Sequence, residues 1–265
     1  MAPDLETRTL DRPGCRLAYR HRASAHGAWV VFLHGAGMDG HMFDAQIAAV
    51  PAETGVVCWD ARAHGVSTLR GRFRYGDMCR DLEALIGSLH AETLCLVGQS
   101  MGGNLAQTYV DRNPGAVDRL VLINCTDNHG PLSLMDRAAL RSTPGILRLY
   151  PWSLTVRQAA RACGATEGTV AYAEQALRRV GKRRFAEIMG FGTEALEPSV
   201  SARLPVPTLA LLGAEDRTGN IRTAMSRLAR IDPQVELVTL PGAAHNSNMD
   251  QPAATNAALR AFCGW

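Results

Sequence analysis

This sequence has no long apolar run. Nothing in its 265 residues approaches the roughly 20 consecutive apolar positions that a membrane-spanning helix needs. The first residues, Met1 to Asp11, are polar and carry acids, so no secretory signal is expected. No two cysteines form a C-x-x-C pair. Cys15, Cys58, Cys79, Cys95, Cys125, Cys163 and Cys263 are odd in number, at spacings unsuited to metal ligation. Cys58, Cys95 and Cys125 fall within apolar runs, and the set reads as free thiols of a reducing, cytoplasmic compartment. There is no basic run interleaved with aromatics, and the net charge is only +3, so nucleic acid is not an expected partner. Internal repeats, low-complexity segments, a phosphate-binding loop and a metal cluster are all lacking. Neither a cofactor nor a metal is expected. A small-molecule substrate is the expected partner, with no membrane partner.

What is present is a globular composition, 46% hydrophobic and 20% charged. Short apolar runs alternate with helical patterns. Ala28–Leu33, Gly55–Asp60, Thr93–Gly98, Arg119–Cys125, Thr208–Leu212 and Val235–Leu240 read as strands, and Arg16–Tyr19 as an antiparallel edge strand. Their apolar residues run on without alternation, as strands require when helices cover both faces. Met42–Val50, Asp77–His90, Gly102–Arg112, Ile221–Ile231 and Pro252–Phe262 read as helices. This alternation predicts an α/β fold with a mostly parallel twisted sheet. Between Cys125 and Pro207 no strand is predicted for about 80 residues, too long for a plain loop. Leu134–Arg141, Leu154–Ala162, Gly168–Val180 and Lys182–Met189 have helical periodicity. Residues 127–203 are therefore expected to form an inserted helical cap on a core of 1–126 and 204–265. From Pro131 to Arg203 eleven Arg or Lys face six Asp or Glu, a surplus of five positive charges.

Gly98-Gln99-Ser100-Met101-Gly102 is a G-x-S-x-G motif directly after an apolar strand and directly before a helix. That context turns a common pattern into a candidate nucleophile. A strand-to-helix turn this sharp strains the serine and tolerates only small residues around it, which Gly98, Gly102 and Gly103 supply. It lifts the Ser100 hydroxyl clear of the sheet. It also places the Met101 N–H at a helix start, where unpaired donors favour an anion.

The stretch GQSMGG resembles the nucleophile elbow of the α/β-hydrolase superfamily, and the resemblance runs from about Leu17 to Phe262, weakening across residues 127–203. It implies an α/β-hydrolase fold and cofactor-independent hydrolysis. It also implies an oxyanion hole built from the N–H groups of Met101 and of Ala36, in the His34-Gly35-Ala36-Gly37 loop after the first core strand. In similar proteins the histidine of that loop is a brace, and His34 is read so here. Gly35, Gly37, His41 and Phe43 are candidate substrate-binding residues; Met38, Met42 and Phe43 suit a core helix as well.

A serine needs a base, and a histidine titrates in the right range. Of eight histidines, His245 is the best placed. It follows the strand Val235–Leu240 through a Pro-Gly turn and precedes the last helix, and Pro241–Pro252 resembles the family's histidine loop. The superfamily order of Ser, acid, His then points to Asp216, which matches the family's G-x-x-D position. Glu215 and Asp127 stay open as alternatives. Asp60 to Ser67 resembles the family's D-x-R-G-x-G-x-S loop and is read as structural. It departs from that pattern at Ala63, where glycine is common.

The expected function is a serine hydrolase cleaving a small carboxylic ester or lactone through an acyl-enzyme. Segments Gly98–Gly103 and Ala243–Asn248 are similar to enol-lactonases, and a basic cap would suit a dicarboxylate. A lyase or C–C bond hydrolase using the same residues, or a small-molecule receptor of this fold, stands as the alternative. Ser100 speaks against epoxide hydrolases and dehalogenases, which need a carboxylate at the elbow.

Overall fold

In a computed structural model of the chain, residues 5–197 and 203–265 are described. Eight strands form one sheet in the order β1-β2-β4-β3-β5-β6-β7-β8. They are β1 Glu6–Arg12, β2 Cys15–Arg22, β3 Ala28–Leu33, β4 Gly55–Asp60, β5 Thr93–Gln99, β6 Arg119–Ile123, β7 Thr208–Gly213 and β8 Val235–Leu240. β2 is antiparallel to both β1 and β4, and β3 to β8 pair in parallel. The helices are α1 Asp44–Ile47, α2 Tyr75–Gly87, α3 Met101–Arg112, α4 Leu134–Leu149, α5 Trp152–Cys163 and α6 Glu167–Val180. They continue with α7 Lys182–Ile188, α8 Gly192–Ala195, α9 Ile221–Ile231, α10 Ser247–Asp250 and α11 Pro252–Cys263.

The central strands behave as their sequences demand. Every residue of β7 is buried, as are the last five of β3 and the first five of β4. Aliphatic side chains covered on both faces exclude water from the backbone ladder. Helices α4 to α8 lie between β6 and β7, where the inserted segment 127–203 is expected; its residues 198–202 lie outside those described.

Several expectations are corrected. The run Arg16–Tyr19 is not an edge: it belongs to β2, with β1 outside it. β1 went unread because its first four residues are exposed and its main support is main-chain pairing with β2, which leaves no hydrophobic alternation. The helix expected over Met42–Val50 is a 3-10 turn, Gly40–Phe43, followed by the single turn α1. Asp39 caps that turn through the His41 N–H, and Pro51 disfavours helix at Val50. The helix expected to end near Arg141 runs on through Pro144 to Leu149. Ser142 and Thr143 hydroxyls bond back to the Ala139 carbonyl across the turn that the proline weakens.

The loop after β4 is held by a buried ion pair. Arg62 grips Asp81 of α2 through two bonds of 2.8 and 2.9 Å. Ala63, the departure from the family pattern, sits at φ 68°, a conformation that glycine adopts without steric cost.

Candidate active site

Strand register brings the candidate residues toward one end of the sheet. Leu33 of β3 lies opposite Gly98 of β5, so the chain emerges from the two strands side by side at Gly35 and Ser100. Gln99 lies opposite Ile123 of β6, Ile123 opposite Leu211 of β7, and Gly213 opposite Leu240 of β8. The loops after β3, β5, β6, β7 and β8 thus gather above the carboxyl ends of neighbouring strands, where open α/β sheets bind ligands.

Ser100 has φ 49° and ψ −118°, outside the regions open to L-residues without strain. Two close approaches make that turn possible. A Cβ on Gly98 would meet the Gly103 Cα at 2.6 Å, and one on Gly102 would collide with the Leu33 carbonyl. The Ser100 N–H bonds to the Ile123 carbonyl at 3.0 Å, which pins the strained residue to β6.

Asp216 is buried just past β7, and its Oδ2 lies 3.0 Å from Nδ1 of His245. The same oxygen accepts a 2.7 Å bond from Asn124 Nδ2, and Oδ1 accepts 2.8 Å from the Thr218 N–H. Burial pushes this carboxyl up, but the bonds from His245, Asn124 and Thr218 outweigh it and hold it down at about 2. Of the two alternative acids, Glu215 is exposed, and Asp127 pairs with Arg227 at 3.1 Å. Neither has His245 among its hydrogen-bond partners.

The histidine loop is anchored from three sides. Gln99 Nε2 donates to the His245 carbonyl at 3.0 Å. Asp250 accepts the N–H groups of Ala244, Ala165 and Thr166, at 2.9, 2.9 and 3.1 Å, tying the loop to the junction of α5 and α6. The Asn246 N–H bonds to the Cys163 carbonyl at 2.7 Å.

Asn124, near the end of the run Arg119–Cys125, carries no role in the sequence reading. It sits at φ 44° and bridges, donating to Asp216 and accepting from the Ser247 hydroxyl. An asparagine ending a strand is the available signal, since asparagine tolerates the left-handed region. Asn124→Gly keeps that backbone and removes the bridge. Hydrogen bonds to a charged group are worth about 1.5–3 kcal/mol. We expect kcat/KM to fall roughly 10- to 150-fold in Asn124→Gly, measured on an activated ester, with melting checked alongside.

The loop after β3 rests on two adjacent, buried imidazoles, His34 and His64, with ring centres 4.8 Å apart and planes tilted by 60°. His34 Nδ1 donates to the Gly35 carbonyl and Nε2 accepts the Ala61 N–H. His64 Nδ1 donates to the Arg62 carbonyl and Nε2 accepts the Gly37 N–H at 3.0 Å. Each ring is therefore neutral with its proton on Nδ1. Burial lowers both, His64 further through its neighbour His34, to about 3.

The unfolded chain takes up protons on these rings near 6.5, whereas the fold holds His64 neutral down to about 3. Stability that is intact above pH 6.5 is thus lost as pH falls through that window, with a slope up to about 1.4 kcal/mol per pH unit for each ring. His129 works on the other side: burial opposes, but its bond to Asp111 prevails and raises it, so its contribution is complete below 6.5. Urea melts at pH 6.5 and 5 should differ by about 1.5 kcal/mol from His64 alone and by up to about 3 kcal/mol with both rings.

Ala36, Ser100 and His245 line one cavity of about 330 Å³. Met101 is buried at the first position of α3, where its N–H has no intrahelical acceptor. The remaining wall is largely apolar: Leu140 from α4, Ala159 from α5, Phe185 from α7 and Ile221 from α9 contribute. Among the described residues, no Lys or Arg lines it, and Asp136 is its one carboxylate.

The other expected substrate contacts fall elsewhere. Gly35 packs beneath Gln99 and Ser100, and Gly37 beneath Leu177 and Phe185. Phe43 is fully buried against Phe32, ring centres 5.1 Å apart, because its turn faces the sheet. His41 is exposed beside Asp44 at 3.1 Å. Neither lines this cavity.

The family model described as "Alpha/beta hydrolase family" matches residues 30–258. The chain belongs to this family. Over 96% of its length it is 25% identical to the 3-oxoadipate enol-lactonase 2 of Acinetobacter baylyi, covering 95% of that protein. It is 37% identical to the sn-1-specific diacylglycerol lipase ABHD11 of Danio rerio, over only 36% of this chain and 31% of the lipase. A solved hydrolase from Pseudomonas aeruginosa superposes with a TM-score of 0.77 at 25% identity, covering all of both chains. The eight-stranded, mostly parallel sheet is the alpha/beta hydrolase fold, and the protein is a hydrolase.

Proposed function

We propose that this alpha/beta hydrolase cleaves a small carboxylic ester or lactone, with Ser100 as nucleophile, His245 as general base and Asp216 as its acid partner. The observation that carries the reading is the 3.0 Å contact between His245 Nδ1 and Asp216, on a histidine that shares a cavity wall with the strained Ser100. An Nδ1–H held by a carboxylate leaves Nε2 free to accept a proton.

In this mechanism His245 takes the Ser100 proton as Oγ attacks the substrate carbonyl carbon. The carbonyl π electrons move to oxygen, and the N–H groups of Met101 and Ala36 hold that oxyanion. Collapse expels the alcohol or enol, which leaves with the proton from His245 Nε2. Water then gives a proton to His245 and attacks the acyl-enzyme, releasing the acid and restoring Ser100. Asp216 stays ionised throughout, in keeping with a carboxyl held at about 2.

The cavity wall supports an uncharged acyl group. A dicarboxylate would find no cationic side chain among its described residues, although a basic cap would suit one. The relative named as an enol-lactonase supports ring-opening of a lactone within the same chemistry.

Incubation with a serine-directed fluorophosphonate, followed by peptide mapping, tests the assignment. Ser100 should carry the adduct, with parallel loss of p-nitrophenyl ester hydrolysis. Labelling of another serine, or full activity after complete Ser100 modification, would defeat it. Steady multiple turnover separates an enzyme from a receptor that binds and turns over slowly.

A further inference from the structure

Nine of the eleven cations between residues 131 and 203 fall into two groups. Arg178, Arg179, Arg183 and Arg184 pair with Glu174, Asp39 and Glu187. Arg137, Arg141 and Arg148 of α4, with Arg157 and Arg161 of α5, are exposed and make no ion pair among the described residues. They share their surface with an unusual set of neighbours. Eight large apolar side chains are left exposed among the described residues, and six of them lie here: Leu134, Met135, Ile146, Leu149, Tyr150 and Leu154. Leu134, Met135 and Leu149 are more than 80% exposed, at 86%, 83% and 87%.

Helical spacing sorts α4 into three stripes. Asp136, Leu140, Thr143 and Leu147 are half-buried and face the protein. Leu134, Met135, Ile146 and Leu149 form an outward apolar stripe, and Arg137, Arg141 and Arg148 run along its edge. On α5, Leu154, Arg157 and Arg161 repeat the combination at spacings of three and four. Not one residue of α4 is fully buried over its 16 positions.

We propose that this face of α4 and α5 is a peripheral docking surface for an anionic lipid bilayer. An outward apolar stripe beside a cationic one is the pattern of helices that lie in a membrane interface. Charge selects the occupant. Asp136 is the sole acid on the two helices, so a second copy of this chain would set arginines against arginines. The leucines project from a convex helix over about 22 Å. A bilayer covers such a surface without a matched pocket. The position also suits the cavity: Ala139 of α4 lines it, and Ile146 and Tyr150 line an adjoining one that shares Ala159, Phe185 and Met189. Docking of this kind needs no spanning segment. No helix among the described residues is long and apolar enough to cross a membrane. The sequence's expectation of no membrane partner rested on that same lack, which bears on spanning alone.

The test is flotation of the full chain with vesicles of phosphatidylcholine, with and without 30% phosphatidylglycerol, at low and high salt. Binding to the anionic vesicles is expected, weakening with salt. A basic residue near an anionic surface contributes roughly fivefold in partitioning, so a triple Arg137→Gln, Arg141→Gln, Arg148→Gln variant should bind about 100-fold more weakly. A Leu134→Ser, Leu149→Ser variant should lose at least tenfold. Both variants should hydrolyse soluble p-nitrophenyl acetate like the parent, which shows that they fold. No vesicle binding, or binding unchanged in both variants, overturns the proposal. So does equal binding to neutral vesicles. A dimer in sedimentation that the leucine substitutions abolish would assign the face to a second copy and overturn it as well. None of these readouts depends on which residues perform the hydrolysis.

Discussion

Ser100→Ala should lower kcat for a p-nitrophenyl ester by about 10⁶ and leave melting nearly unchanged. The methyl group of alanine fits wherever the serine Cβ sat, and the 49° φ cost is already present in the parent. The more searching expectation concerns additivity. If serine and histidine act as one unit, His245→Ala should lose about as much, and the double variant no more than either. What survives, about 10³ to 10⁴ over water, would be the work of the Met101 and Ala36 amides and of substrate binding. A double variant weaker than both singles by a further factor of 10³ would mean that the two residues act independently. Ser100→Ala with activity within tenfold of the parent would remove the nucleophile from the mechanism.

Asp216→Asn should cost about 10⁴ in kcat while keeping the shape of the site. The reason lies in the donors that surround the carboxylate. Its oxygens accept from three: His245 Nδ1–H, Asn124 Nδ2 and the backbone N–H of Thr218. An asparagine has one oxygen to offer. The Thr218 N–H cannot turn, so the amide oxygen must face it and the NH2 group must face His245 and Asn124. His245 can meet that donor only by moving its own proton to Nε2, the atom that must accept from Ser100. The substitution thus stores the wrong tautomer. The measurement is kcat at several pH values together with imidazole NMR, which should show the proton shift from Nδ1 to Nε2. Loss of activity without that shift would mean that Asp216 acts in another way.

Much of this molecule is legible in one dimension because its chemistry is local. The core strands announce themselves as unbroken aliphatic runs, since strands covered on both faces have no polar side to show. Ser100 is legible because a sharp strand-to-helix turn demands glycine at fixed positions: Gly98 stands there for a steric reason within the turn itself, and Gly102 because the end of β3 passes against it. His245 and Asp216 are legible from their places after strands together with the resemblance to the superfamily's order of Ser, acid and His.

Other features have no local cause. β1 is held mainly by the hydrogen bonds that β2 offers it, so its own residues carry little pattern to read. The bridge from Asn124 to Asp216 and Ser247 spans 92 and 123 positions. Phe43 was read as a substrate contact because apolar residues serve pockets and cores alike; only the direction of its turn decides between them. The basic surplus of residues 131–203 suits a solvated helix surface and an acidic substrate or partner alike, since a count of charges has no inside or outside.

By itself, then, the order of residues determined the core strands and the glycine-flanked elbow, because periodicity and turn sterics act over a few positions, while the candidate base and acid rest also on the resemblance to the superfamily's order of Ser, acid and His. Only the tertiary structure decided which carboxylate meets His245, which side chains wall the cavity and where the arginines and leucines of α4 point. Those are distances between residues far apart in the chain, set by strand register and helix packing.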